Sequence, residues 1–195
     1  MMTQSPLLLY IHGFNSSPLS QKAQLMAQYC AQYRPDIKCL APQLAPFPQQ
    51  AALQLTQLIE QYQANHQIGL VGSSLGGYLA TWLNAEFALP AVLINPAVKP
   101  YDLLSDYLGE QQNPYTGERY ILTTDHIDEL KALEVVKLAD PKAFWLLQQT
   151  DDEILDYRQA VTKYRDSKQT VEPGGDHSFV GFERYCADII RFLQL

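Results

Sequence analysis

Gly72-Ser73-Ser74-Leu75-Gly76 places one serine, Ser74, two residues from a glycine on either side. This is the G-x-S-x-G spacing of a nucleophile thrust out of a sharp strand-to-helix turn. A serine hydroxyl is a poor nucleophile at neutral pH, so it needs a base within hydrogen-bond reach and a carboxylate to orient that base. The chain supplies both downstream: the consecutive carboxylates Asp151, Asp152 and Glu153, and His177 within Gly174-Gly175-Asp176-His177. Ser73 lacks the paired glycines and reads as a small packing residue. Any of the three carboxylates could serve, whereas Asp176 adjoins His177 and is badly placed to reach ring Nδ1 while the ring reaches serine. His12, His66 and His126 read as structural: His12 directly follows an apolar run, His66 ends a polar helical stretch, and His126 lies in a later insertion.

Acyl transfer also requires a cradle for the developing oxyanion, commonly two preorganised backbone N–H groups contributing about 3–4 kcal/mol each. The N–H of Leu75, immediately after the nucleophile, is one candidate. The second is the N–H of Phe14, because Gly13 lets the chain turn so that this group points into the site. The order serine, acid, histidine is that of α/β-hydrolases and differs from the orders in the chymotrypsin and subtilisin folds.

These residues need a frame. Short apolar runs at 7–11, 37–40, 68–71, 91–94 and 144–149 predict five strands, and a sixth is expected around 169–171 after the next helix. Helical periodicity predicts helices at about 20–34, 52–62, 75–83, 157–164 and 182–193 between and after them. Such alternation implies a mainly parallel sheet with right-handed crossovers and helices on both faces. Ligands then bind beyond the carboxyl ends of the strands, where His12-Gly13, Ser74, Asp152 and His177 all fall. From about 98 to 140 the alternation breaks. A helix at 100–108 closed by Gly109, a polar and aromatic loop at 113–120, and a helix at 125–133 capped by Asp125 predict an inserted cap. Its apolar side chains, Tyr107, Leu108 and Tyr120 among them, are expected to contact the acyl group.

Composition bounds the rest. With 195 residues and 47% hydrophobic content, the chain suits one domain over 1–195 with one well-buried core. A formal charge of −7 argues against nucleic acid and anionic membrane surfaces as partners. The apolar run at 7–11 is too short for a signal peptide or membrane span, so a soluble cytoplasmic protein is expected. Cys30, Cys39 and Cys186 are odd in number and irregularly spaced, which predicts buried thiols rather than a disulfide framework or a zinc site. Nothing in the sequence fixes the oligomeric state.

His12-Gly13-Phe14-Asn15-Ser16-Ser17, Gly72 to Tyr78, Asn95-Pro96-Ala97, Asn113-Pro114-Tyr115-Thr116-Gly117, Leu147-Gln148-Gln149-Thr150 and Gly174 to Phe179 together resemble the YqiA-type bacterial esterases of the α/β-hydrolase superfamily. The similarity runs along nearly the whole chain. It implies a three-layer α/β-hydrolase fold and a serine carboxylesterase without cofactor or metal. It also implies Ser74 as nucleophile, Asp152 as acid and His177 as base. Asp151 stands where the resemblance leads one to expect glycine. The expected substrates are small to medium acyl esters. Acyl-CoA thioesters are an alternative, for which Lys99, Arg119 and Lys131 are the candidate phosphate contacts, and a non-catalytic binding scaffold is the rival from another class. A carbon–carbon bond or epoxide hydrolase is disfavoured, because an epoxide hydrolase of this fold resembles a carboxylate-nucleophile enzyme.

Overall fold

A computed structural model describes residues 4–195. The chain runs β1 (Ser5–Ile11), α1 (Gln21–Tyr33), β2 (Lys38–Leu40), α2 (Pro48–Tyr62), β3 (His66–Ser73), α3 (Leu75–Phe87) and β4 (Ala91–Ile94). An insertion follows, made of α4 (Pro100–Leu104), β5 (Gly109–Gln112), β6 (Arg119–Leu122) and α5 (Thr124–Ala132). The alternation then resumes with β7 (Phe144–Gln149), α6 (Tyr157–Lys163), β8 (Lys168–Glu172) and α7 (Cys186–Leu193).

Six strands form one sheet in the order β2-β1-β3-β4-β7-β8, with every neighbouring pair parallel. Successive side chains of a strand point to opposite faces, so a strand covered on both faces must be apolar throughout. In β1, Leu7, Leu9 and Ile11 enter one core with Leu55 of α2, Leu79 of α3 and Ala160 of α6. Leu8 and Tyr10 enter the other with Met26 of α1 and Ile189 of α7. The chain leaves β1 for β2 on one side, and β3 lies on the other. The crevice at this change of direction is the expected ligand position in such sheets.

Several local expectations change. His66 heads β3 instead of ending a helix, because extended backbone from Ser5↔His66 onward pairs with β1. The first insertion helix stops at Leu104 and continues as a 3-10 turn, Ser105–Tyr107. The loop expected at 113–120 is largely the turn of an antiparallel hairpin, β5–β6. Asn113 builds that turn: its Oδ1 accepts from the N–H groups of Tyr115 and Thr116, and Gly117 takes φ 74°. Thr123, not Asp125, caps α5, in a reciprocal arrangement with His126. Asp125 sits in the first turn, where a negative charge complements the helix dipole.

The insertion packs as a third core. Leu104, Tyr120, Leu122, Ile127 and Leu130 close around Tyr78 of α3, whose hydroxyl donates to the Leu130 carbonyl at 2.6 Å. Cys30 and Cys186 are buried, Cys39 is half-buried on β2, and all three are free thiols. Among the described residues, no helix is long and apolar enough to cross a membrane.

Candidate active site

Ser74 lies between β3 and α3 with φ 55° and ψ −121°, outside the regions an L-residue prefers. Such strain persists only where the surroundings impose it. Here the Ser74 N–H donates to the Ile94 carbonyl at 3.1 Å, and the Ser74 carbonyl accepts from Ala97 N–H at 3.0 Å and Gly77 N–H at 2.9 Å. The two motif glycines make room: a Cβ on Gly72 would meet the Gly76 carbonyl, and one on Gly76 would meet the end of β1 at Ile11.

His177 bridges two partners. Its Nε2 lies 3.1 Å from Ser74 Oγ, and its Nδ1 lies 2.8 Å and 2.9 Å from the two Asp152 oxygens. A carboxylate accepts, so Nδ1 carries the hydrogen and Nε2 is left free to accept from the serine hydroxyl. The Asp152 side chain is fully covered, and its Oδ1 also accepts from the N–H groups of Ile154 and Leu155, each at 2.9 Å. The adjacent carboxylates take other directions. Glu153 accepts from the His177 backbone N–H at 2.9 Å, which holds its carboxyl below the usual range. Asp151 is exposed and accepts only from the Thr150 hydroxyl, while Asp176 makes no contact with the imidazole ring.

The loop carrying His177 is pinned. Asn95, fully buried at the end of β4 with φ 39°, donates to the carbonyls of Asp176 at 2.9 Å and His177 at 3.2 Å. Its Oδ1 accepts from Gln148 Nε2 at 3.0 Å and from the Gln149 N–H at 2.9 Å. Gln149 in turn accepts from Asp176 and Val180 N–H through Oε1, and donates to the Val180 carbonyl and to Glu172. The motifs Asn95-Pro96-Ala97 and Leu147-Gln148-Gln149-Thr150 contain these amides, but the sequence gives them no role. Their signal was two glutamines ending the otherwise apolar β7, since buried polar groups require partners.

Opposite them, residues 13–17 follow β1. A Cβ on Gly13 would lie 3.2 Å from Ser74 Cβ, closer than ordinary packing, so glycine favours the close approach of this loop to the serine. His12 is buried and locked: Nδ1 donates to the Gly13 carbonyl at 2.9 Å, and Nε2 accepts from Leu44 N–H at 3.1 Å. Burial holds its pKa below the ordinary value, although the Gly13 bond works the other way. The hairpin grips the loop. Asn113 donates to the Ser16 carbonyl at 2.9 Å, the Tyr120 hydroxyl donates to Asn15 Oδ1 at 2.7 Å, and Asn15 donates to Gln111 at 3.3 Å.

A cavity of about 350 Å³ opens over Ser74 and His177, walled by Phe14, Ser16, Ser20, Lys22 and Tyr115 among others. Tyr107, Leu108 and Tyr120 do not line it. Tyr107 reaches it only through an edge contact with Phe14, ring centroids 6.0 Å apart, and Leu108 is exposed. Tyr120 is buried against Phe47 and Leu130, where apolar packing and the Asn15 bond hold it. Lys99 lines a separate cleft with Lys137 and Lys163, Lys131 pairs with Asp128, and Arg119 lies on β6; none reaches the Ser74 cavity.

Solved structures share this architecture. Est1E from Butyrivibrio proteoclasticus aligns over 98% of this chain and 88% of its own with TM-score 0.75 and 16% identity. The esterase domain of a Rhodothermus marinus protein aligns over 98% and 89% with TM-score 0.69 and 15% identity. Alpha/beta hydrolase domain-containing protein 10 from mouse aligns over 100% and 92% with TM-score 0.66 and 18% identity. A model described as uncharacterised protein family UPF0227 matches residues 7–194. The chain has the α/β-hydrolase fold and belongs to UPF0227, the family of the YqiA-type resemblance.

Proposed function

We propose that the protein is a serine hydrolase that cleaves small to medium carboxylic esters through an acyl-enzyme. The observation that carries this reading is the continuous hydrogen-bonded chain Ser74–His177–Asp152 at the strained turn. Ser74 Oγ attacks the ester carbonyl carbon while its proton passes to His177 Nε2, and the carbonyl π electrons move onto oxygen. The N–H groups of Leu75 and Phe14 hold that oxyanion. Collapse of the intermediate breaks the bond to the alkoxy oxygen, which leaves as the alcohol with the proton from Nε2. A water then gives its proton to Nε2 and attacks the acyl carbon, and the second collapse returns the proton to Ser74 and releases the carboxylic acid. Asp152 keeps the imidazole in the required tautomer throughout and stabilises the imidazolium.

The neighbours described as esterases lend support through the shared fold. A fluorophosphonate probe tests the reading. Labelling of the parent and none of Ser74→Ala is expected. A folded parent that resists the probe and turns over no activated ester belongs to the scaffold class instead, and labelling that persists on Ser73 in the variant reassigns the nucleophile.

A further inference from the structure

The ester chemistry leaves one charge in the cavity wall unused. Lys22 stands in the first turn of α1, half-buried, and its Nζ donates to the Ser178 carbonyl at 2.8 Å, one residue beyond His177. An ammonium has three N–H donors. This one makes a single hydrogen bond and no ion pair among the described residues. Burial pushes its pKa down to about 8, against the opposing pull of Asp176 and Asp152, so the charge is less compensated here than it would be in water.

The cavity repeats the message. Apart from Lys22 its walls carry no lysine, arginine or carboxylate side chain, and the rings of His12 and His177 are the other basic groups. The walls include the polar groups of Asn15, Ser16, Ser20 and Gln21 and the rings of Tyr10, Phe14 and Tyr115, and no aliphatic side chain. A long acyl chain gains about 0.8 kcal/mol per CH₂ only where apolar surface covers it, and this wall offers aromatic edges but no aliphatic groove. A compact anion gains a charge-assisted hydrogen bond.

We propose that Lys22 binds an anionic substituent of the substrate, a carboxylate or phosphate carried a few bonds from the cleaved carbonyl, making the protein an esterase of short anionic esters. This rests on the serine hydrolase reading above. Asp176 is the competing partner for the ammonium: its Oδ1 is buried without a hydrogen bond, and it lines the adjoining cavity of about 270 Å³ that Lys22 also borders.

The test compares kcat/KM for the 4-nitrophenyl monoester of glutarate with that for neutral 4-nitrophenyl pentanoate. The parent should favour the anionic ester by about tenfold or more, the scale of one hydrogen bond to a charged group. Lys22→Met should abolish that ratio through KM, Lys22→Glu should invert it, and Asp176→Asn should keep or raise it. A tether that merely holds the His177 loop would lower both substrates together and leave the ratio unchanged, and that result overturns the proposal, as does a parent without preference. Glutarate and inorganic phosphate, compared as inhibitors of pentanoate ester hydrolysis, distinguish the two anions, and inhibition by neither also overturns it. Failure of the parent on both esters, together with no probe labelling, rejects the serine hydrolase reading instead.

Discussion

Two loops approach Ser74 from opposite sides and are held by different means. The loop bearing His177 hangs from Asn95 and Gln149, which are 0% and 3% exposed and belong to the carboxyl ends of β4 and β7. The loop bearing Phe14 is held by Asn113, Tyr120 and Gln111, which belong to the inserted hairpin. The proton-transfer side is therefore bolted to the sheet, where any shift would uncover buried amides that cannot find water. The proposed oxyanion side is tied to the hairpin outside the sheet as well as to Gln43 and Leu44 after β2.

Breaking the junction of the two loops should have the largest effect. Ser74→Ala is expected to lower kcat by about 10³ to 10⁶ while thermal unfolding stays cooperative. On the bolted side, Asp152→Asn should cost about 10⁴ in kcat through the wrong imidazole tautomer. Asp151→Asn and Glu153→Gln should cost far less, and a kcat/KM series decides the ranking, with the acid reassigned should Asp151→Asn prove worst. Asn95→Gly keeps the positive φ but removes the amide. It should lower kcat about 10- to 100-fold with KM little changed, since misplacement of the base acts on the chemical step. Tyr120→Phe removes one hydrogen bond to the Phe14 loop, worth about 1 kcal/mol, so rates should change by less than about tenfold and differently for substrates of different size. Equal, size-independent losses from Asn95→Gly and Tyr120→Phe would erase the distinction between the two sides.

The smallest effect concerns stability. Burial alone would raise the Glu172 carboxyl, but hydrogen bonds from Tyr185, Gln149 and Arg184 outweigh it and hold the pKa below its ordinary 4.5. A depressed carboxylate contributes stability that is present above the unfolded value and lost as pH falls through the folded one. Glu172→Gln should therefore lower the melting temperature at neutral pH, with the gap to the parent closing in acid below about 4.5. A gap that persists there would mean that the tie to Gln149 depends on shape and not on charge.

The four inner strands were legible because burial on both faces demands largely apolar runs, and 91–94 and 144–149 match to the residue. The β5–β6 hairpin was not, because Gly109-Glu110-Gln111-Gln112 shows no apolar alternation and its pairing depends on the turn that Asn113 builds. At the site, Ser74 and His177 carried their own spacing and context. The choice among Asp151, Asp152 and Glu153 was invisible to residue type, since it turns on which way one tight bend aims each carboxylate. Lys22 carries no signal of its own in the sequence; only the packing of α1 beside residues 177–178 gives it a cavity to face.

The strand order has a consequence for how the chain folds. Ser74 and His177 are separated by 103 residues, and Asn95 by 82 from the residue it holds. Parallel pairing across such distances must close long loops before any contact rewards the closure, which makes assembly slow relative to helix formation. The His177 loop can dock only after β7 has joined β4 and β8 has joined β7. During refolding from denaturant, far-ultraviolet circular dichroism should recover well before probe labelling at Ser74. Labelling then serves as a clock for the last step of folding, and a labelling phase coincident with helix formation would show that the serine becomes reactive before the sheet is complete.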